Sequence, residues 1–64
     1  MSKPKYKAGD IVGVVGDAMY EFKIIEWLEE HNVYNGECIK SYTKTIKIGD
    51  LCAIRPNQII MKLS

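Results

Sequence analysis

Little in this 64-residue sequence offers reactive chemistry. It has one histidine, one arginine, two cysteines and three serines, two of them at the chain ends. His31 beside Asn32 reads as an exposed turn residue rather than a general base. No Gly-x-Ser-x-Gly, phosphate-binding loop or His-Glu-x-x-His motif occurs. Glu29 and Glu30 are adjacent, so on a strand their carboxylates point to opposite faces and do not form a catalytic pair. A domain this small also has little room for a deep pocket of about 300 Å³ or more. The expectation is a protein that is not an enzyme and needs no cofactor.

Long apolar runs are missing as well. None approaches the roughly 20 residues of a membrane helix, so no membrane association is expected. The start Met1-Ser2-Lys3-Pro4-Lys5 has no apolar stretch behind it, so no secretory leader is expected and the setting is read as cytoplasmic and reducing. Cys38 and Cys52 lie 14 positions apart, without a Cys-x-x-Cys pair, and are expected to be free, small and buried. A metal site built from His31, Cys38 and Cys52 would lack a fourth ligand. With 47% hydrophobic and 27% charged residues the composition is that of one globular domain. At this length the margin of stability is thin, which favours a partner or a second copy.

What is present alternates like strand. Residues 1–5 form a flexible basic arm, and residues 6–64 the single domain. Ala8-Gly9-Asp10 is a turn, and Ile11 to Val15 is β-branched and apolar. Residues 18–30 allow two readings. Period two puts Tyr20, Phe22 and Ile24 on one face, and a bulge near Ile24-Ile25 absorbs the break of phase before Trp27. Period 3.6 makes a stripe of Tyr20, Ile24, Trp27 and Leu28 capped by Asp17, giving an α+β fold. Aromatic and β-branched content favours the strand, with His31-Asn32 as a two-residue hairpin turn before Val33 to Ser41. Gly36 marks a bulge or a close approach of backbone. Lys47-Ile48-Gly49-Asp50-Leu51 echoes Lys7-Ala8-Gly9-Asp10-Ile11, which implies shared turn chemistry launching two strands. Arg55 to Gln58 suits one 3₁₀ turn, and Ile59 to Leu63 a last strand. The predicted fold is all-β: about five strands too short for a sandwich, closing into a small bent barrel.

Two segments carry a resemblance. Lys7-Ala8-Gly9-Asp10-Ile11-Val12 resembles the opening of SH3-like small barrels, and Ile54-Arg55-Pro56-Asn57-Gln58-Ile59 resembles their 3₁₀ turn before the last strand. It covers about Tyr6 to Leu63 and is similar to short proteins of bacteriophages and other mobile elements. It implies a fold shared by binders of peptides, nucleic acids and other domains, and does not imply one function.

Charge is uneven. Lys3, Lys5 and Lys7 cluster near the start, and Lys40, Lys44 and Lys47 cluster late. From Asp17 to Glu37 six carboxylates stand against one lysine, although the whole chain carries only +1. The leading expectation is a binding module for another protein, host-derived if the chain is phage-like, or for a second copy. Its interface anchors would be Tyr34, Tyr42 and Trp27: Trp27 mainly core, Tyr34 and Tyr42 exposed, with an apolar patch near them or the Met61 end. The alternative is nucleic-acid binding by Lys5, Tyr6, Lys7, Lys40, Tyr42, Lys44 and Lys47, if they share one face. Near-neutral charge and a single arginine, Arg55, count against it. On that alternative, changing Lys44 and Lys47 to Ala reduces the salt slope of oligonucleotide binding by about two. An unchanged slope removes both lysines from the contact.

Overall fold

The computed structural model describes residues 4–16 and 18–64. Met1, Ser2 and Lys3 of the predicted arm, and the candidate cap Asp17, lie outside the described residues. The strands are β1 (Ile11–Val15), β2 (Met19–Leu28), β3 (Val33–Ser41), β4 (Leu51–Ile54) and β5 (Ile59–Lys62). A 3₁₀ turn, Pro56–Gln58, joins the last two. All pairings are antiparallel, in one sheet of order β4-β3-β2-β1-β5. The helical alternative for residues 18–30 is not realised: Met19–Leu28 is strand.

The sheet cannot be flat. Ile54 pairs through Tyr34 to Trp27, and Ile59 pairs through Val14 to Tyr20. In a flat sheet four strand spacings and seven residues of rise would part them by about 30 Å. The chain between them spans about 17 Å at full stretch, and part of it is coiled into the 3₁₀ turn. The sheet therefore coils until its outermost strands come within reach, although the described residues form no ladder between β4 and β5.

Bulges supply the bend. The β2–β3 register shifts between Ile24 and Glu26, so Ile25 is the extra residue, where the break of phase predicts it. Tyr20, Phe22 and Ile24 face inward before it, and Trp27 faces inward after it, against Tyr34 with ring centroids 4.7 Å apart. Ile39 is the extra residue on β3, and a third shift between β1 and β5 leaves Ile60 unpaired in register.

The predicted two-residue hairpin turn is instead four residues long. Leu28 pairs with Val33, and Glu29 to Asn32 form the loop. The His31 amide donates to the Leu28 carbonyl at 3.1 Å and the Asn32 amide to that of Glu29 at 3.3 Å. Asn32 takes φ 54°, a left-handed conformation that asparagine tolerates. The tight two-residue turns need positive φ at both central positions or at the first, whereas here only Asn32, the second, supplies it.

The five-residue echo is the same structure twice. In the first turn the Asp10 amide donates to the Lys7 carbonyl at 3.0 Å, and the Lys7 amide donates to Asp10 Oδ2 at 3.1 Å. In the second the matching bonds of Asp50 and Lys47 are both 3.0 Å. Gly9 and Gly49 hold φ +98° and +97°, as the third position of a type II turn requires. Each turn then docks alike. Gly9 N–H donates to Ile24 O and Ile24 N–H to Asp10 O, both at 2.8 Å. Gly49 N–H donates to Cys38 O at 2.7 Å and Cys38 N–H to Asp50 O at 2.9 Å. Two residues opposing one, with a left-handed glycine first, is a G1 bulge.

The core is Val12, Val14, Tyr20, Phe22, Ile24, Tyr34, Cys38 and Ile54. Gly36 permits its closest approach: an added Cβ would lie 2.6 Å from Ile54 Cδ1 and 3.4 Å from Phe22 Cβ. We expect Gly36→Ala to cost about 1–3 kcal/mol through overpacking. Gly9→Ala and Gly49→Ala each cost about 1–2 kcal/mol through the left-handed backbone alone, since nothing lies within 4 Å of either position. Urea unfolding of the three variants checks this. Unequal costs at Gly9 and Gly49 would contradict the equivalence of the turns.

Candidate functional site

Period two places one row of side chains on the outer face of β5, β1, β2 and β3. Met61 pairs with Gly13, Gly13 with Glu21, and Glu21 with Lys40. Val15 and Met19 form the next pair on the same face. Gly13 is buried although it faces outward, because Met61, Ile60 and Leu63 lie over it. A Cβ there would meet Met61 Cγ at 3.4 Å. The missing side chain leaves the floor of a groove of about 150 Å³, whose walls include Met19 and Tyr42 on one side and Met61 and Leu63 on the other. Methionines give such a wall an adaptable shape.

Polar bonds hold the rim. The Ser41 hydroxyl donates to the Ile46 carbonyl at 2.6 Å and accepts the Thr43 amide at 3.3 Å. Tyr20 Oη lies 2.9 Å from Thr43 Oγ1. The loop carrying Tyr42 is thereby tied to the inner face, and Tyr42 stays 67% exposed. Lys40 Nζ sits 5.5 Å from the centre of that ring and 3.9 Å from Glu21 Oε2. The Tyr42 hydroxyl first, and the Glu21 carboxylate after it, hold the Lys40 ammonium above its ordinary pKa.

Other expected site residues fall elsewhere. Tyr34, expected to be exposed, is 1% exposed, and its hydroxyl accepts the amides of Lys5 at 2.8 Å and Tyr6 at 3.2 Å. Its inward position on β3, beside Trp27 and under Tyr6, makes it core. Trp27 packs against that core as expected and lines an open recess of about 430 Å³ with Leu28, Glu29, Glu30 and His31. This recess is larger than the chain length suggested, because β2 runs on past its pairing with β1. The indole Nε1 is buried and, among the described residues, has no hydrogen-bond partner.

The lysines are spread along two directions of the sheet. Lys5 and Tyr6 lie by the Tyr34 hydroxyl, whereas Lys40 and Tyr42 flank Ser41, seven residues or about 20 Å further along β3. Lys7 stands in the turn before β1, which docks on Ile24 of β2, and Lys47 in the turn before β4, which docks on Cys38 of β3. Lys44 is exposed in the loop beyond Tyr42. Residue type alone singles out Tyr42 and the Met61 end, and the structure puts both on one groove. Gly13, Met19, Glu21 and Leu63 join them there without having been expected. The legible signal was Gly13 itself, a glycine inside a β-branched strand.

Cys38 and Cys52 are free, and His31 stands apart from them on the hairpin loop. Burial, more than any neighbouring charge, raises the pKa of both thiols. No family model, no curated protein and no solved structure matches the chain.

The raised thiol pKa values set an alkaline limit. Folded thiols then hold their protons more tightly than unfolded ones, so their contribution is full below the ordinary thiol range and is lost as pH rises through the folded pKa. Between about pH 8 and 10 the urea midpoint should fall further in the native chain than in a Cys38→Ala/Cys52→Ala variant. Equal falls would show that the thiols ionise alike in both states.

Proposed function

We propose that this chain is a small SH3-like barrel acting, without catalysis, as a module that binds another protein through the outer face of β5, β1 and β2. The observation that carries this reading is the Gly13 groove, an apolar trough walled by Met19, Tyr42, Met61 and Leu63. Exposed apolar side chains gathered on one face, with a charged pair at the rim, are the makings of an interface core and its polar border. The curl imposed by the short 3₁₀ connection supports the barrel part of the proposal. Against nucleic acid stand the near-neutral charge, the single arginine and the engagement of Lys40 with Glu21 and Tyr42.

The test compares immobilised native chain with two variants. Met61→Glu puts a carboxylate on the groove wall, and Lys44→Ala/Lys47→Ala removes late positive charge. Partner protein captured from extract should be lost at least tenfold with Met61→Glu and kept with the lysine variant. Capture indifferent to Met61→Glu overturns the groove reading. Amide shifts with a random-sequence oligonucleotide, confined to Lys5–Lys7 and Tyr42–Lys47 and weakening with salt, would put nucleic acid in its place.

A further inference from the structure

We infer that the partner seated on the Gly13 face is a second copy of this chain, the two faces meeting about a twofold axis. This inference rests on reading that face as a binding surface and names its occupant. Three observations favour self-pairing.

The first is area. Val15, Met19, Tyr42, Ile60, Met61 and Leu63 are each about half exposed, between 41% and 67%. Residues of this size leave roughly 100 Å² open apiece, or about 600 Å² in all. That equals the largest apolar patch common on a monomer. Pairing two such faces would bury about 1,200 Å², the lower bound of a specific interface.

The second is shape. A twofold interface brings one surface against itself, so that surface must carry both the projection and the hollow. Here it does. Tyr42 projects, and Gly13 leaves a hollow of about 150 Å³ beside it. The hollow's other walls include the flexible side chains of Met19, Met61 and Leu63, which can adjust to an incoming ring.

The third is charge. A self-pairing patch must not repel itself. Glu21 and Lys40 stand side by side in the row, 3.9 Å apart, so each copy presents both signs at the rim. Rotation about the axis can set Glu21 of one copy against Lys40 of the other. The net charge of the chain is +1, so long-range repulsion between copies is small.

Sedimentation of the purified chain from low micromolar to about 1 mM tests the inference, with amide spectra recorded over the same dilution. We expect a reversible monomer–dimer equilibrium within this concentration range, since the buried area lies at the lower bound of specific interfaces. Concentration-dependent shifts should fall on Gly13, Glu21, Tyr42 and Leu63. Tyr42→Ala and Met61→Glu should each weaken dimerisation at least tenfold while the spectra remain those of the folded chain. Gly13→Ala gives a second handle. The three atoms nearest its Cβ are side-chain atoms of Met61, Ile60 and Leu63, at 3.4 to 3.9 Å, so it should keep the fold and weaken pairing severalfold by raising the floor. A chain that stays monomeric throughout overturns the inference, as does a dimer unmoved by Tyr42→Ala and Met61→Glu. If the monomeric chain still captures a foreign protein in a Met61-dependent manner, only the choice of partner has failed. If that capture is also insensitive to Met61→Glu, the groove reading has failed with it.

Discussion

The four residues between Ile54 and Ile59 impose the constraint on which this fold depends. They join the two outermost strands of a five-stranded sheet. No flat or gently twisted sheet allows so short a connection, so every other element has to accommodate a tight coil. Extra residues at Ile25, Ile39 and Ile60, and the glycine bulges at Gly9 and Gly49, are where the strands turn. The three bulged isoleucines end up exposed because a residue without a cross-strand partner is not held to the inner face.

Coiling also decides which side chains become core. The inward faces of β1 to β4 converge on Phe22, Ile24, Tyr34 and Ile54, and no charged group is buried among the described residues. The outward face near β5 receives no such cover. Apolar residues there remain half exposed, and Gly13 keeps the backbone bare beneath them. One sequence with 47% hydrophobic residues thus builds a small core and leaves an apolar surface over.

Period-two alternation, β-branched composition and turn residues made the strands legible, and the break of phase at Ile25 made its bulge legible. The 3₁₀ turn followed from Pro56. Two features were not. The hairpin loop at Glu29 to Asn32 is set by how many left-handed positions the loop can fill, which local composition does not count. The burial of Tyr34 depends on contacts with Tyr6, Trp27 and the arm, residues seven to 29 positions away, which no local pattern contains. The groove was half legible. Tyr42 and Met61 stood out by type, but only the β1–β5 register brings Met61 onto Gly13.

The two Lys-x-Gly-Asp turns bear on how a short strand finds its place. β4 has four residues, with Cys52 and Ile54 facing in and Leu51 and Ala53 out. A slip of two positions would preserve that pattern, so the side chains alone set its alignment weakly. The turn ahead of it removes the ambiguity. It holds its own shape through Lys47 and Asp50, and it clips to both polar backbone groups of Cys38. Once the clip closes, Leu51 can lie only beside Glu37. The matching turn before β1 does the same at Ile24. Alignment in this molecule is therefore written twice into the backbone of a four-residue prefix, which leaves the outward side chains of both strands free to change without misplacing them.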